Sequence, residues 1–589
     1  MTVDQMTIAG FLEHFRRIVR EKEAAGITPI LTNPSDLLER AKLYGMAYGN
    51  GSWGWGSNIW SRSAAGTMVV EREEDLGPEQ RQVMLRTLEH ILCRPLIQVD
   101  RTVGTPGERA AMRCRLYCDP QFPDVAYRWG ELTFPGDPSA EPEAVLFCLP
   151  HYLGNPRVPG SDEILSVLRF PSHGYTIVTM SSYQGEVKKG FLSHWIKFAY
   201  DRGGTGEHAA LREFSIRRVD GSLRRIVMGV WGLTGSGKST HGMYAVDEAT
   251  AAVFQRQFGV NPLDWLTDQA IKNDDIVAIF PDRVLGSERG SWTKTEDVDP
   301  GQMGIYRAAM APRALHENTE WDETGQVSFA GQLFQYWGRP NQNARTVLRL
   351  EDTGFFDGDV DSSGPLNMAV FISPGYVCDH AWVKVADTAF AAKVLADGRT
   401  VGHPAQSRQG IGEVKFETRY CRPFTMGVPA SAHVHRFYTF LEARSAAGDS
   451  IEVFRINTTG RVGANYRWEP LERNGTTVEV PRVIFEEVDG KRRPVGGTGP
   501  TIEETELFLF QAARGAVEWE PHPIWGQKVL VPVRVPGLSD ARLKALSPFT
   551  YRSLHEMRRL LGAQVETSKA ALAVQCPGLD PVIHDSMDF

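Results

Sequence analysis

The sequence has few cysteines and no cysteine pattern that would hold a metal ion or a disulfide framework. Seven cysteines are scattered along 589 residues, and none forms a Cys-x-x-Cys pair. An odd number of scattered cysteines favours a reducing compartment. It argues against a zinc knuckle or a set of structural disulfides.

Long apolar runs are also missing. No stretch approaches the roughly 18 uninterrupted apolar residues that a membrane-spanning helix needs. The N-terminal residues do not show the basic segment followed by an apolar segment that is typical of a secretory signal. We therefore expect a cytoplasmic protein with no membrane partner.

The chain shows no excess of positive charge. It carries 64 Lys and Arg residues against 72 Asp and Glu residues, a formal net charge of −8, with no basic block. This balance gives no reason to expect a nucleic-acid partner. The 42% hydrophobic content is ordinary for a globular protein, and the length allows two or more domains.

The strongest motif is a glycine-rich phosphate-binding loop that follows an apolar, β-leaning run at residues 226–231. The loop reads Gly232-Leu233-Thr234-Gly235-Ser236-Gly237-Lys238-Ser239, followed by Thr240. It fits G-x-x-x-x-G-K-[ST], in which backbone N–H groups surround phosphate oxygens. In this pattern Lys238 would reach the outer phosphates and Ser239 a divalent metal ion. An ordinary glycine-rich turn is the alternative, but the preceding strand pattern favours a nucleoside triphosphate site.

A pair of aspartates, Asp274 and Asp275, stands beside a second apolar run at residues 276–280. Enzymes with a phosphate loop use such carboxylates to hold Mg²⁺ or Mn²⁺. The alternative is a turn between two strands. With the phosphate loop already present, the pattern predicts a metal site.

Periodicity gives a coarse fold. It predicts an amphipathic helix over 5–25, a β-rich stretch over 95–182 and a helix over 245–258. Residues 343–460, including His433 and His435, are predicted as strands and turns, and further helices are predicted at 503–514 and 540–561. We expect an α/β protein with an α+β domain at 1–220, a nucleotide-binding domain at 221–589 and a border near 215–225.

Several segments together resemble the ATP-dependent phosphoenolpyruvate carboxykinases. Residues 183–190 look like that family's Tyr-x-Gly-Glu-Met-Lys-Lys-Gly segment, and the separation of Lys189 from His208 matches its metal-binding pair. The phosphate loop is similar to Gly-Leu-Ser-Gly-Thr-Gly-Lys-Thr. Further matches are Asp274-Asp275, Glu288, Lys294-Thr295, Ile305-Tyr306, Glu317-Asn318, Asn343, Arg345 and Arg62-Ser63. They occur in one order and are firm over 183–350.

The resemblance implies a carboxykinase-like fold of two domains with the active site in the cleft between them. It also implies roles for individual residues. Lys189 as a neutral amine, His208 and Asp275 would ligate Mn²⁺, and Lys238 and Ser239 would hold ATP with Mg²⁺. Arg62 and Arg345 would hold the substrate carboxylate and the transferring phosphoryl group, and Tyr183 and Lys188 would lie in the same pocket.

The reaction implied is oxaloacetate + ATP → phosphoenolpyruvate + CO₂ + ADP, with an enolate stabilised by the metal ion. The chain departs from the family in several places. Residues 64–67 read Ala-Ala-Gly-Thr where the family has lysines, and we expect an insertion at about 241–270, between Ser239 and Asp274. At 497–501 the arginine expected to stack on adenine is replaced.

Two other functions therefore stay open. One is a phosphotransferase of the same fold that acts on a different carboxylate or hydroxyl substrate. The other is a non-catalytic, nucleotide-binding regulatory protein. In each case we expect a nucleotide and a small molecule as partners, and a monomer or small homo-oligomer.

Overall fold

The computed structural model describes residues 3–59, 67–151, 167–233, 236–295, 298–329, 343–375, 377–401, 414–416, 426–458, 460–473, 476–488 and 491–589. Within these ranges helices alternate with sheets that contain both parallel and antiparallel pairs. The described chain is therefore of mixed α/β class, as the sequence predicts. The described residues contain no helix with both the length and the apolar character that crossing a bilayer requires.

The first eight-stranded sheet, here called the N-terminal sheet, is built from residues before position 180. Its strands follow the order Ile30–Thr32, Leu96–Val103, Met112–Cys118, Ala144–Leu149, Tyr175–Thr179, Val167–Phe170 and Thr67–Val69, with Phe134–Pro135 paired to Leu96–Val103. The predicted β-rich stretch is confirmed. Met112–Cys118, Ala144–Leu149 and Tyr175–Thr179 run parallel and are buried almost throughout.

Helices cover both faces of the N-terminal sheet. They are Ile8–Ala24, Leu37–Lys42, Pro78–Cys93, Pro123–Leu132 and Gln184–Asp201. Ile8–Ala24 matches the predicted amphipathic helix, and its Phe11 and Phe15 pack on aromatic rings of one face. Gln184–Asp201, called the lysine helix below, packs on the other face, where Phe191 stacks on Trp129 at 4.6 Å.

The second eight-stranded sheet, the central sheet, carries the phosphate loop. Its strands follow the order Leu266–Asn273, Ala209–Arg217, Leu223–Trp231, Met368–Ile372, Glu452–Ile456, Trp382–Val385, Gly526–Arg534 and Glu518–His522. The three strands Leu223–Trp231, Met368–Ile372 and Glu452–Ile456 are parallel. The loops that follow these strands therefore meet at one edge of the sheet, where α/β proteins bind ligands.

The helices of this part of the chain are Lys238–Gly242, Glu248–Phe258, Met303–Ala309, Thr388–Asp397, Ala430–Ala446, Ile502–Ala513, Asp540–Ala545, Leu554–Gln575 and Pro581–His584. The predicted helices at 245–258 and 503–514 are confirmed. Residues 215–225, where we predict the domain border, contain the turn of the hairpin between Ala209–Arg217 and Leu223–Trp231. The division into domains and the insertion at 241–270 stay predictions.

Two smaller sheets pair strands from distant parts of the sequence. The bridging sheet follows the order Gly290–Lys294, Arg345–Arg349, Leu315–Glu317, Trp53–Trp55 and Met46–Ala47, and a three-stranded sheet joins Thr205–Glu207, Val277–Ile279 and Val284–Gly286. The remaining pairs are Glu320–Trp321 with Val327–Ser328, Arg399–Val401 with Val414–Phe416, Val462–Ala464 with Gly496–Thr498, Tyr466–Arg473 with Thr476–Val483, and Phe485–Val488 with Lys491–Pro494.

Two predictions about secondary structure are wrong. Residues 343–460 contain the helices Thr388–Asp397 and Ala430–Ala446, so His433 and His435 are helical. The buried residues His433, Val434, Phe437 and Leu441 recur at helical spacing, which decides the conformation. The single helix predicted at 540–561 is two helices, because the chain turns at Pro548 between them.

Candidate active site

The phosphate loop begins where the buried end of the strand Leu223–Trp231 leaves the central sheet. Gly237 adopts a φ of 96°, the left-handed region that glycine enters without steric cost. A Cβ atom at Gly232 would lie 2.6 Å from Ser236 Oγ and 3.0 Å from the Cβ atom of Lys238, so glycine fits this position without displacing either side chain. Thr234 and Gly235 lie outside the described residues. The described part of the loop thus has the backbone that the motif demands.

Hydrogen bonds hold the loop against the neighbouring strand end. The Ser236 hydroxyl donates to the Leu233 carbonyl at 2.7 Å, and the Thr458 hydroxyl donates to the Ser236 carbonyl at 2.7 Å. Lys238 starts the helix that follows, and Ser239 and Thr240 continue it in half-buried positions. The chain therefore presents Lys238, Ser239 and Thr240 in one turn.

Four of the predicted side chains converge on the carboxylate of Asp275. His208 Nε2 lies 2.9 Å from Asp275 Oδ1, and Lys238 Nζ lies 3.5 Å from the same oxygen. Lys188 Nζ lies 2.8 Å from Oδ2, and the Lys189 ammonium contacts that oxygen as well. All five residues are buried. The structure thus brings together residues from positions 188 to 275.

Strand register explains why His208 and Asp275 meet. Glu207 is paired with Val277 in the three-stranded sheet, and Leu211 is paired with Asn273 in the central sheet. The segments 207–211 and 273–277 therefore both pass from the three-stranded sheet to the central sheet at the same point, and His208 and Asp275 lie in these connections. The lysine helix lies across this point and supplies Lys188 and Lys189 from consecutive positions.

The environment sets the protonation of this cluster. Burial lowers the pKa of Lys189 to about 7, and the positive charges of Lys188 and Lys238 oppose the raising effect of Asp275. Burial also lowers the pKa of His208 to about 3, with Lys238 adding to the effect. Burial alone would raise the pKa of Asp275, but Lys188, Lys189 and Lys238 hold it well below its usual value.

These protonation states suit a divalent metal ion. Above about pH 7 the amine of Lys189 and the imidazole of His208 are neutral and Asp275 is anionic, which are the forms that bind metals. The described residues contain no cluster of three His, Cys, Asp or Glu side chains that could hold a metal ion. A cation bound by His208 and Asp275 would have the amine of Lys189 beside it as a third donor, which is the ligand set that the resemblance implies.

Asp274 and Lys188 have their own buried partners. Asp274 Oδ2 accepts hydrogen bonds from Ser291 Oγ at 2.7 Å and from Thr293 Oγ1 at 2.8 Å. Lys188 Nζ also lies 2.5 Å from Glu288 Oε2. Burial would lower the pKa of Lys188, but Asp275 and Glu288 raise it above its usual value. Lys188 is therefore a charged residue whose ammonium is already matched by two carboxylates.

A second group of side chains surrounds Arg345. Its guanidinium lies 4.6 Å from the centre of the Trp292 ring, and its Nε donates to Asn343 Oδ1 at 3.0 Å. Asn343 Nδ2 donates to the hydroxyl of Tyr183 at 2.9 Å. Burial raises the pKa of Tyr183 to about 12, so its phenol keeps its proton. The structure brings the predicted residues Tyr183 and Arg345 together through Asn343.

Arg345 is 7% exposed and makes no ion pair with any carboxylate of the described residues. A buried charge without a counter-ion is costly. A guanidinium matches the geometry of a carboxylate or phosphate. Arg345 is therefore suited to an anionic ligand. Arg62, predicted to act beside it, lies outside the described residues.

The carboxylate of Glu317 backs this second group. Its Oε1 lies 2.7 Å from Arg128 Nη1 and accepts from the backbone N–H of Gln184 at 2.9 Å. Its Oε2 accepts from the indole N–H of Trp292 at 3.2 Å. Arg128 is fully buried and is also paired with Asp124 at 2.7 Å. One carboxylate thus joins the start of the lysine helix to the ring beneath Arg345.

The sequence did not identify Arg128 or the pairing of Glu288 with Lys188. No local pattern marks either of them, because their partners lie far away in the chain. Ser291 and Thr293 alternate along the strand Gly290–Lys294, and this period of two could have placed both on the face of Asp274.

No protein-family model matches the chain. The chain is similar to the phosphoenolpyruvate carboxykinase (ATP) of Aeropyrum pernix, with 26% identity over 287 residues, which cover 48% of this chain and 51% of that enzyme. It thus spans about half the length of the curated relative that it matches. This likeness points to a distant relationship with the ATP-dependent phosphoenolpyruvate carboxykinases.

Proposed function

We propose that this protein is an ATP- and divalent-metal-dependent enzyme of the phosphoenolpyruvate carboxykinase type, which converts oxaloacetate and ATP to phosphoenolpyruvate, CO₂ and ADP. The observation that carries the proposal is the convergence of Lys188, Lys189, His208 and Lys238 on the buried carboxylate of Asp275. The distant likeness to the carboxykinase of Aeropyrum pernix supports it.

The phosphate loop would hold the triphosphate of ATP through its backbone N–H groups, with Lys238 on the outer phosphates. Ser239 would hold Mg²⁺ together with the phosphates. Lys189, His208 and Asp275 would hold Mn²⁺. When bound, this ion would supply a positive charge that stabilises the enolate oxygen formed on loss of CO₂.

The protein's own side chains would orient the substrate. Arg345 would bind a carboxylate of oxaloacetate. The hydrogen bond to Asn343 and the face of the Trp292 ring orient its guanidinium. The phenol of Tyr183 would donate a hydrogen bond beside it, since its raised pKa keeps it protonated. Burial of these groups excludes water, which would otherwise protonate the enolate before phosphoryl transfer.

A second candidate is a phosphotransferase that acts on a different carboxylate or hydroxyl substrate. The observation that favours it is the pairing of Lys188 with Asp275 and Glu288, which leaves little of its charge for a dianionic substrate. The absence of lysines at 64–67 likewise leaves less positive charge in the segment of sequence after Arg62. The metal and triphosphate sites would be the same in both cases.

The test is formation of phosphoenolpyruvate from oxaloacetate with ATP, Mn²⁺ and Mg²⁺, followed by ³¹P NMR. Reactions without ATP correct for spontaneous decarboxylation of oxaloacetate. Lys238→Ala should abolish product formation. Lys197→Ala should leave it unchanged, because Lys197 pairs with Asp201 away from the cluster.

Product that depends on Lys238 would support the carboxykinase. ATP binding that depends on Lys238, without turnover of oxaloacetate, would contradict the carboxykinase and favour the phosphotransferase. A screen of other carboxylic and hydroxy acids would then follow. ATP binding without turnover of any acceptor would favour the regulatory function.

A further inference from the structure

A buried chain of polar side chains lies behind the phosphate loop and has no role in the proposed reaction. His241 Nδ1 lies 2.7 Å from Glu506 Oε1, and the other oxygen of Glu506 lies 2.6 Å from Arg212 Nη2. All three side chains are almost fully buried. They come from three different elements: the helix that carries Lys238, the helix Ile502–Ala513 and the strand Ala209–Arg217.

The imidazole of His241 lies beside the turn of the phosphate loop at Gly237. A Cβ atom built on Gly237 would lie 3.6 Å from Cδ2 and 4.0 Å from Nε2 of His241. The backbone N–H of His241 also donates to the Gly237 carbonyl at 3.0 Å. The ring therefore packs beside the one described residue of the loop that adopts the left-handed conformation.

Glu506 is held in place from both sides. Arg212 binds its second oxygen and also donates from Nη1 to the Tyr244 carbonyl at 2.9 Å, which follows the helix of the phosphate loop. The helix that carries Glu506 begins at a capping box made by Thr501 and Glu504. A rigid carboxylate thus fixes the ring of His241, which lies where a Cβ atom on Gly237 would contact it.

The helix Ile502–Ala513 follows the loop at 496–500, which pairs with Val462–Ala464, the next strand in the chain after Glu452–Ile456 of the central sheet. Arg542 donates to Thr498 Oγ1 at 2.9 Å and to the Gly499 carbonyl at 2.7 Å, and it pairs with Glu504 on the helix. Arg542 and Glu504 therefore join the loop at 496–500 to the helix Ile502–Ala513, and Glu506 and His241 separately join that helix to the helix of the phosphate loop.

We propose that His241 is a positioning residue of the nucleotide site, held by the Glu506–Arg212 pair so that the turn at Gly237 presents Lys238 and Ser239 to the phosphates. This inference rests on the nucleotide site of the proposed function. It adds a residue that acts through the backbone of the loop and does not itself contact the metal ions.

The test compares His241→Leu, His241→Gln and the wild type for binding of MgATP and, separately, of Mn²⁺ alone. His241→Leu leaves Glu506 without one charge-assisted hydrogen bond, and we expect MgATP to bind about tenfold more weakly. The amide of Gln can still donate to Glu506, so His241→Gln should recover most of the affinity. Mn²⁺ binding should stay unchanged, because Lys189, His208 and Asp275 are not touched.

The matched control is His90→Leu, which breaks a similar histidine–carboxylate bond to the buried Asp119 at 3.2 Å in the N-terminal part of the chain. It should lower the melting temperature without changing MgATP binding. Equal MgATP affinity for His241→Leu and the wild type would overturn the inference, as would an equal loss of MgATP and Mn²⁺ binding. A wild type that does not bind MgATP would instead overturn the proposed function, and the inference with it.

Discussion

Replacing Asp275 by Asn tests the centre of the candidate site most directly. The substitution removes the charge that Lys188, Lys189 and Lys238 share and keeps the size of the side chain. Removing one partner of a buried ion pair costs about 3–5 kcal/mol of unfolding free energy, since the other charge stays buried. We expect a loss of this size, partly offset because Lys188 keeps Glu288.

Asp275→Asn should weaken Mn²⁺ binding more than the loss of a residue that only hydrogen-bonds to a metal ligand. Loss of a residue that hydrogen-bonds to a metal ligand weakens metal affinity by about 10–100-fold. Asp275 is the anionic member of the proposed set Lys189, His208 and Asp275, so its loss should weaken Mn²⁺ binding by at least about a hundredfold. Binding is measured by electron paramagnetic resonance of free Mn²⁺ during titration. Unfolding in urea, followed by tryptophan fluorescence, gives the stability of the same samples.

Asp100→Asn is the matched control. Asp100 is a buried aspartate whose Oδ1 lies 2.6 Å from Arg115 Nε in the N-terminal sheet, outside the cluster around Asp275. This variant should lose stability to a similar extent and keep its Mn²⁺ affinity. The reasoning would be refuted if Asp275→Asn bound Mn²⁺ as tightly as the wild type, or if Asp100→Asn lost Mn²⁺ binding to the same degree.

Three further outcomes are expected. Mn²⁺ affinity should rise about tenfold per pH unit up to about pH 7 and then level off, because Lys189, with a pKa of about 7, is charged below that pH and neutral above it. A Mn²⁺ affinity that does not change between pH 6 and 8, about one unit on either side of the pKa, would contradict this. Arg345→Lys should raise the KM for a carboxylate substrate about 10–100-fold through loss of the planar, stacked guanidinium, with MgATP affinity unchanged in calorimetry. Glu317→Gln should lower the unfolding free energy by about 3–5 kcal/mol, measured by urea unfolding, since Arg128 loses one of its two buried carboxylates. It should also raise the KM for the carboxylate substrate, measured by steady-state kinetics, because the ring of Trp292 loses its hydrogen-bond partner and shifts. An unchanged KM would show that the position of Trp292 does not depend on Glu317.

The sequence alone was sufficient where the chemistry is contiguous in the chain. The phosphate loop could be predicted because its glycines and Lys238 act through one short stretch of backbone. Helices such as Ile8–Ala24 and Ile502–Ala513 could be predicted because their apolar residues recur at helical spacing. The adjacent pairs Lys188-Lys189 and Asp274-Asp275 were visible for the same reason.

The tertiary structure decided what these residues contact. It placed Lys188, Lys189, His208 and Lys238 around one carboxylate, through the crossing of two sheets and the packing of the lysine helix. It also supplied Glu288 as a partner of Lys188.

The remaining links were decided in the same way. Arg128 meets Glu317, and His241 meets Glu506, across long stretches of chain. Such pairs leave no local periodicity, because they depend on which faces of distant elements pack together. The helix Ala430–Ala446 is a different case, because the helical spacing of its buried residues Val434, Phe437 and Leu441 is present in the sequence and the prediction of strands overlooked it. What the sequence by itself determined is the local chemistry of the loop and the type of most elements; the charge balance and the geometry of the site came from their packing.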